Sequence, residues 1–245
     1  MKGRRILAGL GSIAAAYVDC FLPQFCMLCG TRIPAGKKLC SDCSSRLKPE
    51  PVFFCPLCRF EGKSVDLTHD GGRGCGVESH NFVAGRAGAR AGAVLLSLVH
   101  MFKYSGEREI APLLAGLIFD SNIVNEDFRS FDLMCPVPLF RTRFRERGFN
   151  QSAEIARCLE IYSGVPLIEN LLSKTRATAE QAKLAGNSRR RNLVGSFVES
   201  RTGLTRGKRV VLVDDVVTTA STVAACIEAL AAAGAVRVLV VAVAA

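Results

Sequence analysis

The sequence predicts an α/β protein, in which a parallel sheet flanked by helices is preceded by a small metal-binding module. Three observations predict it. "RVVLVDDV", "VAACIEALAAAG" and "VRVLVVAVA" read in succession as strand, helix and strand; apolar residues recur at helical spacing from Arg90 to Asp120; and cysteines crowd in CxxC pairs between Cys26 and Cys75.

With 245 residues, 49% of them apolar, the chain can pack one large domain or two smaller ones, and disorder as its main state is excluded. A net charge of +10 points to an anionic partner: phosphates, nucleic acid or an acidic membrane surface. Of 11 cysteines, Cys20, Cys135, Cys158 and Cys226 lie in apolar surroundings and are expected as small buried hydrophobes.

The chain opens on "MKGRRILAGLGSIAAAYVDC", positive charge followed by a short apolar run, which has the texture of a secretory signal. The run is too short to span a bilayer, and thiolate metal sites and nucleotide chemistry downstream suit a reducing, cytoplasmic compartment. A docked apolar helix over 1–24 is the expectation. "GLGSIA" matches a dinucleotide fingerprint in form only, because no strand precedes it.

Next come Cys26 and Cys29, Cys40 and Cys43, and Cys55 and Cys58, three CxxC pairs in close succession. A CxxC turn converges two thiolates on one tetrahedral ion, so two pairs complete one zinc site. The third pair has Cys75 as a further ligand, and Glu78, His80 and His69 compete for the last place. Which pairs combine is open at this level.

From about Phe82 the texture changes. Leu95, Val99 and Phe102, then Leu113, Leu114, Leu117 and Ile118, mark two amphipathic helices joined by "YSGE". "FDLMCPVPL" reads as a strand, "NQSAEIARCLEIYSG" as a helix, and a basic irregular segment follows. Val210 to Val213 form an uninterrupted apolar strand, Ser221 or Thr222 is placed to cap the next helix, and Gly234 closes it. Strand, helix, strand implies parallel pairing through a right-handed crossover, in a sheet covered on both faces.

Asp214 and Asp215 fall at the carboxyl end of that strand, where open parallel sheets bind ligands. Two adjacent carboxylates need hydroxyls or a cation to meet them, and a sugar diol with magnesium supplies both. "TTAST" beyond them offers amides and hydroxyls at a helix N-terminus, which favours an anion. The competing reading, in which Asp215 caps a turn and the threonines merely start the helix, leaves one acid unexplained. Arg141, Arg143, Arg145 and Arg147, spaced by two, would line one side of an extended segment, with Phe144 or Phe149 for stacking on single-stranded nucleic acid.

"VVLVDDVVTTAST" resembles the PRPP-binding motif of type I phosphoribosyltransferases, with Ala220 where the motif usually has glycine. With "CPVPLFRTRFRERGFNQSAEIAR", "KTRATAEQAKLAGNSRRRNLVGSF", "MFKYSGE" and the cysteine pairs, the chain resembles the ComF family, related to the competence protein ComFC and to GntX, along nearly its whole length. The resemblance implies a double zinc ribbon over 25–82, with one or two structural zinc ions, and a type I phosphoribosyltransferase fold over 83–245. It implies that Asp214 and Asp215 bind the ribose hydroxyls of PRPP with Mg2+, while Thr218, Thr219, Ala220, Ser221 and Thr222 cradle its phosphate. Pro138 falls in the pyrophosphate turn. Lys103, Arg147, Gly148, Asn150, Gln151, Gln181 and Asn192 match the family signature, and Arg176 and Arg189 match a mobile catalytic segment. A magnesium-dependent phosphoribosyltransferase is the implied activity; the alternative is a PRPP-responsive protein without turnover. Single-stranded DNA and the competence machinery are the implied partners, and nucleotide metabolism the other implied setting.

Overall fold

A computed structural model describes residues 23–57, 61–62, 83–139, 141–174, 196–200, 202–218 and 220–245. The expected helix over 1–24 lies almost wholly outside the described residues, as do Cys58, His69, Cys75, Glu78, His80, Arg176, Gln181, Arg189, Asn192 and Thr219. The chain divides into two compact units, 1–48 with 93–98, and 49–92 with 99–245.

In the first unit β1 (Gln24–Phe25) and β2 (Arg32–Ile33) pair antiparallel, and α1 (Ser41–Ser45) follows. Gly30, at φ 70°, closes the first CxxC turn by donating its N–H to the Cys26 carbonyl at 2.8 Å. Such a left-handed residue is cheap only for glycine. Cys40 caps α1, its sulfur accepting from the Cys43 N–H at 3.4 Å. Ile33 and Leu39 are the buried aliphatic side chains described between residues 23 and 48, too little core to hold a fold without help.

The second unit is built on a six-stranded sheet. In chain order its elements are β3 (Val52–Phe54), β4 (Glu61–Gly62), β5 (Val83–Ala89), α2 (Ala93–Tyr104, of which 93–98 group with the first unit), a 3-10 turn (Arg108–Ile110), α3 (Ala111–Asp120), α4 (Glu126–Arg129), β6 (Leu133–Pro136), α5 (Arg141–Arg147) and α6 (Gln151–Ser163). After them come β7 (Leu172–Lys174), β8 (Phe197–Glu199), β9 (Arg209–Val216), α7 (Ala220–Ala232) and β10 (Arg237–Ala244). The sheet order is β4-β3-β5-β10-β9-β6; β10 pairs parallel with β5 and β9, β6 pairs parallel with β9, and β3 pairs antiparallel with β5. Strands β7 and β8 form a separate antiparallel pair.

The expected β9–α7–β10 crossover is present with parallel register, and Val210 to Val213 and Val238 to Ala244 are buried on both faces. Gly234, at φ 90°, ends α7 as expected, and Gly164, at φ 74°, ends α6. Three local expectations are corrected. Helix α7 begins at Ala220, not after a cap at Ser221 or Thr222, so Ala220 is helical and carries no positive-φ strain. The arginines from 141 to 147 are helical, not an extended stripe, because "RTRFRER" has no β-branched run and ends on Gly148 at φ 76°. Phe149 is 3% exposed and unavailable for stacking on an outside ligand. The sheet also starts upstream of the boundary expected at 82/83: Val52 and Phe54 are buried and pair β3 against β5.

Strand β5 has a special requirement for small residues. A Cβ at Gly88 would stand 2.8 Å from Ile118 Cα and 2.9 Å from its N, so α3 backbone packs directly on this strand. Gly88→Ala is therefore expected to cost about 1–3 kcal/mol by overpacking, read as a lower urea midpoint at unchanged m-value.

Candidate functional site

The carboxyl ends of β6 and β9 lie side by side, Pro136 paired with Val213. Val137 N–H donates to the Val213 carbonyl at 2.8 Å, fixing the turn after β6 against β9. Asn150 ties helix α6 to the same turn. Its Oδ1 accepts from Ser152 N–H at 3.1 Å as the helix cap, while its Nδ2 donates to the Val137 carbonyl at 3.0 Å. Asparagine is suited to this because one amide both donates and accepts.

The cap places Ser152 at the acids. Ser152 Oγ donates to Asp214 Oδ1 at 3.1 Å, and the Asp215 N–H donates to the same oxygen at 2.9 Å. Asp215 Oδ1 accepts from Val216 N–H at 2.7 Å, and its Oδ2 meets Lys103 Nζ at 2.8 Å. The structure thus brings Lys103, from the last turn of α2, onto the second acid. The two carboxylates are not equivalent: Asp215 has a cation, Asp214 has a hydroxyl and a peptide.

Burial pushes the Asp214 carboxyl up, the neighbouring Asp215 charge adds to it, and the hydrogen bonds and Lys103 only partly offset both, leaving it at about 7. Part of the residue's surface remains open, but the carboxyl itself is crowded by protein. A group raised from 3.8 in the unfolded chain favours the fold at low pH, and its contribution falls as pH rises from about 4 to about 7. The urea midpoint is therefore expected to fall over that range in the wild type, and less steeply in Asp214→Asn.

Around the acids the signature residues form a second layer. Gln151 is buried, and Arg147 donates to its Oε1 at 3.2 Å while stacking over the Tyr104 ring at 5.1 Å. Arg108 donates to the Gly148 carbonyl at 3.0 Å and lies 5.0 Å over Phe149, whose ring packs on Phe102 at 5.4 Å. Phe149 thus serves as the floor under Arg108. Thr218 is exposed and its N–H donates to the Val216 carbonyl at 3.1 Å; Ser221 and Thr222 lie in the first turn of α7. Pro138 is half-buried in the turn after β6. Sequence reasoning missed Ser152, Arg108 and Tyr104. For Ser152 a signal existed, since it follows the cap "NQ" by one residue and hydroxyls there face the strand ends.

In the first unit Cys26, Cys29, Cys40 and Cys43 converge, with their sulfurs all within 4.8 Å of one another and Cys29 and Cys40 Sγ 3.6 Å apart. Sulfurs on a tetrahedral zinc stand about 3.8 Å apart, so the set fits a structural zinc. Burial pushes the Cys26 thiol up, but the N–H groups of Cys40, Cys29 and Leu28 outweigh it and bring it down to about 6, toward the ligating thiolate. The first two CxxC pairs are therefore the ones that combine. Cys55, the described member of the third set, is buried at the end of β3. Cys135 and Cys226 are buried as expected, and Cys158 partly so.

Residues 145–245 match the family model for the phosphoribosyl transferase domain. The DNA utilization protein YhgH of Escherichia coli O157:H7 is 33% identical over 210 residues, covering 83% of this chain and 88% of the relative. The competence protein ComFC of Bacillus subtilis strain 168 is 26% identical over 201 residues, covering 76% and 75%. Among solved structures, a glutamine phosphoribosylpyrophosphate amidotransferase from B. subtilis is 21% identical with a TM-score of 0.35, over 57% of this chain and 26% of its own. A sheet whose strand ends carry paired acids before a helix N-terminus is, with the family-model match over 145–245, a phosphoribosyltransferase domain. Joined to the four-cysteine cluster, it makes the chain a member of the ComF family. Among the described residues no helix is long and apolar enough to cross a membrane.

Proposed function

We propose that this chain binds PRPP with magnesium at the carboxyl end of β9 and acts as a phosphoribosyltransferase. The observation that carries the reading is the Asp214–Asp215 pair held between Ser152 and Lys103, ahead of the N-terminus of α7. The two acids take the ribose hydroxyls. The phosphate is met by Ser221, Thr222 and the N–H groups of the first helical turn, with Thr218 before them; Thr219 and Ala220 are proposed for the same phosphate. The acids' demand for positive charge, met in part by Lys103, suits a magnesium ion, which when bound neutralises the pyrophosphate.

Lys103 stands beside the acids as the protein's own cation for the leaving group, and the turn at Pro138, braced by Asn150, walls its path. Arg147 and Gln151 hold α6 against Tyr104, keeping Gly148 and Asn150 in place. Arg176, Gln181, Arg189 and Asn192 are proposed for catalysis on their match to the family's catalytic segment alone. The four-cysteine cluster holds one structural zinc; Cys55, Cys58 and Cys75 are proposed for a second.

Pyrophosphate release from PRPP, assayed with candidate bases and with single-stranded DNA, tests the activity. Release that depends on an acceptor is the expected result; binding without release would leave a PRPP-responsive protein. A second reading, contact with single-stranded DNA in the competence setting of the relatives and in the cytoplasm, is favoured by Arg143 and Arg145. Both are exposed, and neither has an acid partner among the described residues. DNA affinity should then fall steeply with salt.

A further inference from the structure

A cleft of about 880 Å³ is lined by the turn after β6 together with α5, α6 and β7. Its lining includes none of Lys103, Asp214, Asp215 or the α7 N-terminus, and it shares with the proposed PRPP site the turn at Pro138 and Leu139 and the Gly148 and Asn150 positions beside it. Its size lies within the range of about 300–1,000 Å³ typical of small-molecule sites.

The charges on its walls are sorted. Glu154 and Glu169 are both taken up by Arg157, through contacts of 2.8 Å and a fork of 2.7 and 2.8 Å, and Arg108 adds a second cation to Glu154 at 3.5 Å. Arg141 lines the cleft exposed, with no acid partner among the described residues. Lys174 also lines the cleft, its ammonium 5.2 Å over the Phe197 ring, and burial pushes it below the usual lysine range. The Arg141 guanidinium is therefore a positive charge in the cleft that no described acid neutralises, as an anion requires.

Three residues on from Arg141, Phe144 lines the cleft while 50% exposed. Residues three apart share a helix face, so a guanidinium and an open aromatic ring are offered side by side. The Asn170 side chain, also at the wall, carries both donor and acceptor for the edge of a flat heterocycle.

From the cleft, the unpaired Arg141 and the exposed Phe144 beside it, we infer that this is a second ligand site, for a nucleoside monophosphate. The base stacks on Phe144 and the phosphate pairs with Arg141. A cleft of this volume holds about one nucleotide, whereas a strand needs a track that continues past it. Arg143 and Arg145, which do not line it, remain for other contacts.

Adenosine monophosphate, adenosine, inorganic phosphate and an oligothymidine strand, each titrated into the full zinc-loaded chain by calorimetry, test the assignment. Adenosine monophosphate should bind more tightly than adenosine or phosphate alone. Its Kd should rise about tenfold in Arg141→Ala and in Phe144→Ala, both surface changes. It should stay within about twofold in Asp214→Asn/Asp215→Asn, which separates this site from the PRPP site. No heat with the nucleotide, phosphate binding as tightly as the nucleotide, a strand binding where the nucleotide does not, or loss of nucleotide binding in the aspartate variant would each overturn it.

Discussion

Cys40→Ser is expected to unfold the cysteine unit. Between residues 23 and 48 the described core is Ile33 and Leu39 around Cys26 and Cys43, with short strands of two residues each. The hydrophobic term from two aliphatic side chains is about 3–6 kcal/mol, far below the ordering cost of about 1–2 kcal/mol for each backbone residue. A structural zinc contributes an apparent 10–16 kcal/mol or so in small peptides, enough to reverse that balance. Limited proteolysis followed by mass mapping should show cleavage within 23–48 in the variant, and in wild type stripped by a chelator, but not in zinc-loaded wild type. Metal analysis of the wild type should find at least one zinc per chain. Resistance to protease in the stripped protein would remove the metal from the account of this unit.

The next largest effect is expected from Asp127→Ala. Arg86, in the middle of β5, is 1% exposed, and its guanidinium reaches Asp127 Oδ2 at 2.5 Å, Ile123 O at 3.2 Å and Asn125 Oδ1 at 3.4 Å. Its Nε has no partner among the described residues, so the group is already short of one bond. Removing the carboxylate leaves a buried cation uncompensated, at a cost of about 3–5 kcal/mol. Arg237, 3.3 Å from the other Asp127 oxygen, loses its partner as well. Arg86→Met should cost less, because it removes the charge and keeps most of the volume. Urea denaturation separates the two; a loss under about 1 kcal/mol in Asp127→Ala would show that water reaches Arg86.

The same strand marks where the sequence stops being readable. "VAGRAGA" carries no apolar alternation and only one β-branched residue, Val83, because α3 backbone and the Phe54 ring press so close that glycine is required at 85 and 88. Periodicity detects large side chains, and here packing forbids them. By contrast β9 and β10 are legible because both faces are buried and every position is apolar up to the acids. That two CxxC pairs converge on one site followed from spacing; that the first two do so needed three dimensions. The arginines of α5 misled because alternate charge fits an extended strand as well as a helix, and the helix is fixed by its left-handed end at Gly148. The placement of Asp214 and Asp215 at the end of an apolar strand was legible, and Lys103 was singled out as a signature lysine. That Lys103 ion-pairs with Asp215 was not legible, since 112 positions separate them in "MFKY" and "VVLVDD".

All of the chemistry proposed for this chain rests on one donor site, and titration calorimetry of zinc-loaded protein with magnesium and PRPP tests it most directly. Saturable heat in the wild type, lost in Asp214→Asn/Asp215→Asn while the urea transition of that variant stays cooperative, is the predicted result. A wild-type chain that is folded and zinc-loaded yet gives no heat, or an aspartate variant that binds as the wild type does, would contradict it.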